Sequence, residues 1–218
     1  TRLIPFEFST TQTYILEFGN NYIRFYKDKG QILSGGSAYE IASPYATSEL
    51  FDIKFAQSAD VMYLCHPNHD VRKLSRSGHT SWTLATVSFT GSPSPAISGA
   101  DNRPSCVSFF EQRLVFANTN NNPQTLFFSK SGDYENMTTG TNADDAMIYT
   151  IASNQVNAIR FLKAQRTLIV GTTGGEFTVS ADGTDAAITP TNIAIKRQSS
   201  YGSANVDAQP AGNATLFL

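Results

Sequence analysis

The stretch Thr167–Gly183 reads TLIVGTTGGEFTVSADG, and it decides the fold prediction. A short apolar strand leads into a glycine-rich polar turn, then into an alternating strand and a second turn that ends at Gly183. In the alternating strand, Phe177 and Val179 fall on one side of the pleat and Thr178 on the other. The stretch therefore predicts a β-hairpin followed by a tight turn.

Three earlier segments repeat this pattern. Their closing glycines are Gly30, Gly78 and Gly132, so that with Gly183 the intervals are 48, 54 and 51 residues. We expect each glycine to supply the positive φ that such turns need. The predicted strand pairs are Tyr14–Phe18 with Tyr22–Tyr26, Asp60–Cys65 with Val71–Leu74, Arg113–Ala117 with Gln124–Phe128, and Thr167–Val170 with Glu176–Val179.

Further apolar segments flank these pairs and are predicted as additional strands. They are Phe51–Phe55, Cys106–Phe110 and Val156–Phe161 before the pairs, and Ser81–Val87 and Asn192–Lys196 after them. Four strands in each period of about 50 residues are typical of a β-propeller blade. The sequence predicts an all-β, β-propeller-like fold over residues 1–218, with about four four-stranded antiparallel blades. An ordinary β-sandwich is the alternative.

The remaining segments complete this architecture. The tail Asn213–Leu218 is predicted to be a strand that begins a further blade, which the end of the chain cuts off. Residues 90–104 are rich in Gly, Ser and Pro and indicate a surface linker. Short helical turns are expected only around Ser43–Leu50 and Asp133–Met137. Because the chain begins without Met and ends inside an apolar segment, we expect it to be part of a longer protein.

Composition excludes several classes of protein. The chain has 16 Lys and Arg against 18 Asp and Glu, a net charge of −2, which argues against a protein that coats nucleic acid. No apolar run approaches the length of about 18 residues that a transmembrane helix needs. The two cysteines, Cys65 and Cys106, are too few for a disulfide framework, and we expect both to be buried free thiols.

The run Cys65–Asp70, CHPNHD, has the residue types of a metal site. Zinc, however, needs about four ligands that converge tetrahedrally. On a hairpin, Cys65 is expected to point into a sheet face while His66 and His69 lie in a polar turn. The third histidine, His79, is near the far end of the repeat unit. We therefore interpret the run as a polar turn.

Three other polar segments are interpreted as structural. Asp144 and Asp145 lack the alternating oxygen ligands of a calcium loop and are expected to form a solvated acidic turn. Gly171–Gly175 is predicted to be a hairpin turn, because no Gly-Lys-Ser/Thr follows it. The basic pair Lys196–Arg197 is expected at a solvated strand end. The sequence thus predicts no catalytic, cofactor-binding or metal-binding residue, and a protein that is not an enzyme.

Several segments, in their order along the chain, resemble a known family. They are Pro104–Ala117, Ser129–Asn136, Asp144–Asp145, Ser153–Arg160, Leu168–Val170, Gly175–Val179, Gln198–Gly202 and Ala214–Leu218, with looser matches at Tyr22–Phe25 and Ser58–Tyr63. Together they are similar to tail nozzle proteins of short-tailed bacteriophages, also called tail tubular protein B. The most specific part is Phe109–Val179. The chain departs from some relatives in its short 90–104 linker, where they carry inserted domains.

The resemblance implies a function as well as a propeller. It implies a structural virion protein that assembles in the host cytoplasm as a ring of six identical subunits in the phage tail. The ring would contact the tail adaptor protein and hold tail fibres or spikes. It would continue the portal channel, retain the packaged DNA and guide its ejection, with double-stranded DNA passing through without specific binding.

Two other function classes remain open from the residues. A carbohydrate-binding or depolymerising propeller would need aromatic platforms and paired carboxylates in one cleft. A generic propeller scaffold for protein interactions would need neither. Gene neighbourhood separates these readings, because portal and adaptor genes should lie beside a nozzle gene.

Overall fold

The structure, a computed structural model, describes residues 1–9, 12–152, 156–183, 186–212 and 214–218. Strands account for 54% of the chain and helix for 3%, so the predicted all-β class is confirmed. The chain divides into two compact units, Thr1–Val87 and Ser88–Leu218. Among the described residues no helix is both long and apolar enough to cross a membrane.

The first unit begins with an antiparallel sheet, sheet 1. Its strands and the small hairpin inserted in it are β1 (Arg2–Ser9), β2 (Gln12–Gly19), β3 (Tyr22–Lys27), β4 (Gly30–Gln31), β5 (Leu33–Ser34), β6 (Ser37–Ala38) and β7 (Glu40–Ala42). The order is β1-β2-β3-β4, with β7 also paired to β3, while β5 and β6 pair with each other. Asn21, at φ 63°, turns the chain between β2 and β3, as short polar side chains tolerate this conformation.

A 3₁₀ helix, Thr47–Asp52, connects sheet 1 to the second sheet of the same unit. Sheet 2 is an antiparallel meander of β8 (Lys54–Ser58), β9 (Val61–His66), β10 (His69–Gly78) and β11 (Ser81–Thr86). The Glu49 side chain accepts the Ala46 backbone N–H at 2.9 Å and so caps the start of the helix. The helix therefore begins where its first free amide finds an acceptor.

Aromatic side chains fill the core of the first unit. Trp82 on β11 stacks on Phe25 of β3 at 4.5 Å between ring centroids. Phe6 and Tyr14 meet the same indole edge-on, at 4.8 Å and 5.3 Å. Edge-to-face and offset pairs add about 0.5–1.5 kcal/mol each to the burial of their area. The single tryptophan thus ties sheets 1 and 2 into one core.

The second unit contains two further four-stranded meanders and a terminal hairpin. Sheet 3 consists of β12 (Cys106–Phe110), β13 (Arg113–Ala117), β14 (Thr125–Phe128) and β15 (Met147–Thr150). Sheet 4 consists of β16 (Ile159–Ala164), β17 (Leu168–Thr172), β18 (Gly175–Ala181) and β19 (Ile193–Ser199). The hairpin pairs β20 (Gln209–Ala211) with β21 (Ala214–Leu216).

The core between sheets 3 and 4 is formed by apolar side chains that alternate with polar ones along the strands. Phe177 and Val179 of β18 both enter it, as the alternating pattern predicted, while Thr178 between them stays half-buried. From sheet 3, Val115 and Phe128 face the same cluster. Burying one such side chain contributes about 1.5–3 kcal/mol. The predicted antiparallel, propeller-like blades are therefore confirmed as separate sheets with apolar faces.

The four closing glycines lie at equivalent places, at the connection between the third strand of each sheet and the last. Gly30 begins β4, Gly78 ends β10, and Gly132 and Gly183 lie in the connections themselves. Their backbone conformations differ. Gly132 and Gly183 have φ of 73° and 140°, as expected. Gly30 and Gly78 do not have positive φ, so that part of the prediction is wrong. In the first turn Asp28 and Lys29 take the left-handed conformation instead, at φ 52° and 65°.

Some predicted element boundaries are wrong. Phe51–Phe55 is the end of the 3₁₀ helix and the start of β8 rather than one strand, because Glu49 caps a helical turn there. The turn expected around Ser43–Leu50 is thus confirmed with shifted bounds. Residues 133–137 form turns and isolated bridges without a helix. The predicted strand at Val156 begins at Ile159 instead.

The tail is a strand, as predicted, but a short one. Ala214–Leu216 pairs with Gln209–Ala211. Asn213, which the prediction included, lies outside the described residues, as do residues 153–155 of the family resemblance. That this hairpin begins a further blade stays a prediction.

Candidate functional site

Two histidines face each other across the hairpin that joins β9 to β10. His66 ends β9, His69 begins β10, and the two are paired in register. Pro67 and Asn68 form the two-residue turn between them, and proline suits such a turn because its φ is already fixed. The Asn68 backbone N–H donates to His66 Nδ1 at 3.1 Å, which fixes the imidazole against its own turn.

Glu49 reaches this hairpin from the 3₁₀ helix. Its carboxylate accepts hydrogen bonds from His69 Nε2 at 3.0 Å and from Asn68 Nδ2 at 3.3 Å, besides the Ala46 amide. The hydrogen bond from His69, followed by that from Ala46, lowers the pKa of Glu49 to about 2. Glu49 is therefore an ionised carboxylate at neutral pH, held by donors from two segments.

His66 is the buried member of the group, with 1% of its surface exposed. Burial, together with the charge on His69, lowers its pKa, and Glu49 and Asp52 oppose this only in part. The imidazole is therefore neutral at pH 7. Its Nε2 has no hydrogen-bond partner among the residues that the structure describes.

The three side chains form a compact donor set. One possible ligand atom from each of Glu49, His66 and His69 lies within 4.8 Å of the other two. The side chains of Glu49 and His69 are each 20% exposed, so the group opens to solvent on one side. The Tyr45 ring packs edge-on against His69, at 5.1 Å between ring centroids, and at a tilt of 53° against His66, at 5.9 Å.

Unsatisfied polar atoms collect in the same part of the first unit. In the described ranges of the chain, the buried side-chain atoms without a hydrogen-bond partner are Ser43 Oγ, Tyr45 Oη, His66 Nε2, Arg72 Nε and Thr215 Oγ1. All but Thr215 lie between residues 43 and 72. Each such group costs about 1–3 kcal/mol. We call Tyr45, Glu49, His66 and His69 the histidine cluster.

The structure corrects the interpretation of Cys65–Asp70. Cys65 is buried in β9, as expected, and both cysteines are buried thiols outside any disulfide. His66 is not part of a solvated turn but is buried at the end of its strand. His79 lies elsewhere, where its Nδ1 hydrogen-bonds the Tyr14 hydroxyl at 2.7 Å. The sequence interpretation missed Glu49, because nothing local marks it as a neighbour of the hairpin.

The expected acidic turn also differs from its prediction. Asp145 is only 8% exposed, and Lys130 Nζ lies 3.3 Å from Asp145 and 3.2 Å from Asp144. Beside them, the buried Arg113 guanidinium donates to the backbone carbonyls of Ser129, Ala143, Asp144 and Asp145 at 2.6–3.3 Å. We call Arg113, Lys130, Asp144 and Asp145 the arginine cluster. A lysine side chain occupies the place that a cation would take there.

The other polar segments are placed largely as predicted. Gly171–Gly175 contains the turn between β17 and β18, so the predicted hairpin is confirmed. Lys196 and Arg197 are exposed, although they lie within β19 rather than at its end. Arg197 donates to the carbonyl oxygens of Gly174 and Ser199, at 2.7 Å and 3.1 Å.

Sheet 1 carries an aromatic outer face that the sequence interpretation did not single out. The Glu17 carboxylate accepts hydrogen bonds from the hydroxyls of Tyr22 and Tyr26, at 3.1 Å and 2.5 Å. The Arg24 guanidinium lies 4.4 Å above the Tyr22 ring. A groove of about 600 Å³ adjoins this face and is lined by Leu3, Thr13, Tyr14, Ile15, Glu17 and Tyr26–Lys29. The sequence signal that could have identified this face is the alternation in β3, where Tyr22, Arg24 and Tyr26 fall on one side of the strand.

Comparison with known proteins adds no relative. The chain matches no protein-family model, and no curated protein is similar to it.

Proposed function

We propose that this chain is a structural module of a bacteriophage tail nozzle, in which its sheets form part of the wall of a DNA conduit. The observation that carries the proposal is the repeated sheet order, with each glycine turn between the third and last strands. A four-stranded meander of this kind can serve as a wall element, with its connecting loops left for contacts to other proteins. The assignment to a virion rests on the segments that resemble nozzle proteins and on their order along the chain.

The use of buried charge also supports a structural role. Arg113 on β13 donates to backbone carbonyls of the loop between β14 and β15. The buried Glu176 accepts hydrogen bonds from the hydroxyls of Ser199 and Ser203 and so fixes a loop of sheet 4. Groups that hold the protein's own loops in this way are not aimed at a substrate. The proposed protein is accordingly not an enzyme.

Three cations of the first unit are paired in a way that suits a passive conduit. Arg24 pairs with Glu40 at 2.9 Å, Arg76 with Asp60 at 2.8 Å, and Lys27 with Asp28 at 3.2 Å. A cation that faces a carboxylate has less capacity to neutralise a phosphate, and phosphate neutralisation is what makes DNA binding tight. Packaged DNA would then slide past this surface during retention and ejection.

Two measurements test the proposal. Electron microscopy of the full-length protein with its tail adaptor should show rings, six subunits in number, beneath the adaptor. Duplex DNA should bind more weakly than about micromolar at physiological salt. Tight binding with a steep salt slope, or a protein that stays monomeric with the adaptor, would contradict a nozzle.

A matched pair of variants sharpens the DNA experiment. Glu40→Lys and Asp60→Lys together free Arg24 and Arg76 and add two cations, so DNA affinity should rise and its salt dependence should steepen. Glu40→Gln with Asp60→Asn frees the same arginines without adding a cation, since it raises the net charge by 2 instead of 4, and should give a smaller rise in affinity. Equal DNA binding by all three proteins would show that these pairs do not govern it.

The aromatic outer face of sheet 1 favours a second candidate, carbohydrate binding. Tyrosine rings beside a carboxylate and a groove give a sugar both a stacking surface and a hydrogen-bond acceptor. A glycan array with the wild type and Tyr26→Ala tests this function. Binding that Tyr26→Ala abolishes would favour the carbohydrate reading over the conduit, and no binding to any glycan would exclude it.

A further inference from the structure

We propose that Glu49, His66 and His69 bind one divalent transition-metal ion of the zinc type, with water completing the coordination. The proposal is independent of the nozzle assignment. Two imidazole nitrogens, one carboxylate oxygen and an open position form a donor set that zinc takes in proteins. Imidazole ligands favour zinc, copper or nickel over magnesium and calcium, which prefer oxygen donors.

The donor atoms are close enough for one ion to join them. Around tetrahedral zinc, with bonds of about 2.0–2.1 Å, neighbouring ligand atoms stand about 3.3 Å apart. The three donors already lie within 4.8 Å of one another. The remaining approach is within the reach of side-chain rotation, because Glu49 and His69 are each 20% exposed on the open side. That side also admits the ion and its water.

The His66 ring is arranged for ligation through Nδ1. Because Nδ1 accepts the Asn68 amide, the proton of the neutral ring lies on Nε2. A bound ion would take the Nδ1 lone pair in place of the Asn68 amide. The exposed turn residue Asn68 would then give its amide hydrogen to water.

Charge in the cluster favours a cation. The Glu49 carboxylate, which accepts hydrogen bonds from His69, Asn68 and the Ala46 amide, supplies the anionic ligand for an ion. Asp52, at the end of the same 3₁₀ helix, adds negative potential at the His66 ring. A bound ion would take over the Glu49–His69 contact and join the helix to the β9–β10 hairpin. The expected consequence is a metal staple within the first unit.

The test uses untagged full-length protein, freed of metal with a chelator and then dialysed. Zn²⁺ is titrated in competition with a chromophoric chelator, and Co²⁺ is added separately to read the coordination geometry from its visible absorption. We expect one ion per chain, bound at micromolar affinity or tighter, with little competition from Mg²⁺. No saturable site, or a site that Mg²⁺ fills equally well, would overturn the proposal.

Variants locate the site. His69→Gln and Glu49→Gln are partly exposed changes, and each should weaken Zn²⁺ binding at least tenfold and alter the Co²⁺ spectrum. His79→Gln is the matched control, because this histidine lies outside the cluster and should leave both unchanged. Since buried His66→Gln can fail to fold, the conclusion does not depend on it. Wild-type affinity in His69→Gln and Glu49→Gln, or loss of the site in His79→Gln, would refute the assignment.

A thermal measurement supplies an independent readout. Zn²⁺ should raise the melting temperature of the wild type and of His79→Gln, because an ion that binds only the folded state stabilises it. The same Zn²⁺ concentration should leave the melting temperature of His69→Gln almost unchanged. Equal stabilisation of all three proteins would mean that the ion binds elsewhere, and the proposal would fail.

Discussion

Each unit contains a largely buried polar cluster, the arginine cluster in the second unit and the histidine cluster in the first. The two clusters differ in how many of their buried polar atoms have a hydrogen-bond partner. Within the described residues, the side-chain hydrogen bonds of Arg113 go to backbone carbonyls of the β14–β15 loop, and Lys130 pairs with the nearby Asp144 and Asp145. In the histidine cluster, His66 Nε2 and Tyr45 Oη lack partners among the described residues. No buried side-chain atom of the arginine cluster is among these unpartnered atoms, whereas two atoms of the histidine cluster are.

This difference separates a structural network from a candidate binding site. A network in which each buried group is paired gains stability from every member. A network with unpaired members is less stable than it would be if each member had a partner. The four predictions below test this contrast, in order of decreasing effect.

Removing the guanidinium from the complete network should cost most. Arg113→Met leaves the carbonyls of Ser129, Ala143 and Asp145 without their donor, so we expect the free energy of unfolding to fall by about 3 kcal/mol. Urea denaturation followed by circular dichroism measures the change. Lys196→Ala, an exposed change on β19, should stay within about 0.5 kcal/mol and serves as the control. A similarly small loss for Arg113→Met would mean that the network is not stabilising.

Two tyrosines offer a test with opposite signs. Tyr45→Phe removes a buried hydroxyl without a partner and should raise the free energy of unfolding by up to about 1 kcal/mol in chelator-treated buffer. Tyr14→Phe removes a hydroxyl bonded to His79 and Arg76 and should lower it by about 1 kcal/mol. If both changes destabilise equally, the Tyr45 hydroxyl has a partner in solution and the contrast is broken.

The closing glycines of sheets 2 and 3 should respond differently to alanine. Gly132 has φ 73° beside the arginine cluster, so Gly132→Ala should lower the free energy of unfolding by about 1 kcal/mol through backbone strain alone. Gly78 lacks positive φ, and a Cβ there would lie 3.7 Å from that of Ser81. Gly78→Ala should therefore change stability by less than about 0.5 kcal/mol. Thermal melts of the pair measure the difference, and equal losses would contradict it.

Acid should destabilise the protein through the arginine cluster, and this is the smallest of the four expected effects. The Asn142 amide, together with Lys130, lowers the pKa of Asp145 in the folded state. The resulting stability is therefore present at neutral pH and is lost as pH falls below the ordinary aspartate pKa of about 3.9 towards the folded value. Asp145→Asn should flatten this acid limb of the unfolding midpoint, while Asp182→Asn, at an exposed site, should not. An unchanged limb in Asp145→Asn would assign the acid sensitivity to other groups.

The sheets could be predicted because their signals are local. Alternation in Glu176–Val179 and the apolar run Leu168–Val170 identify two strands and their common turn without knowledge of the rest of the chain. The spacing of Gly132 and Gly183 then gives the repeat. Strand bounds at Phe51–Phe55 were wrong because a single capping contact from Glu49 decides between strand and helical turn, and that contact is not visible in the pattern of hydrophobicity.

The two polar clusters could not be predicted for a different reason. Arg113 follows Glu111 and Gln112 at a hairpin, where the composition indicates a solvated turn, and its burial depends on a loop that returns about 30 residues later. Glu49 likewise meets His66 and His69 only after the 3₁₀ helix has folded back on the hairpin. Such contacts depend on tertiary packing, and single-sequence patterns carry no record of which polar groups it brings together.

The connection between the third and last strands differs greatly in length between two sheets of equal strand order. In sheet 2 only His79 and Thr80 separate β10 from β11, whereas residues 129–146 separate β14 from β15. The pairing of the last strand therefore does not depend on the length of this connection. The entropic cost of closing a loop rises only slowly with its length. The short connection of sheet 2 is accordingly a natural position for genetic insertion of an epitope or fluorescent reporter.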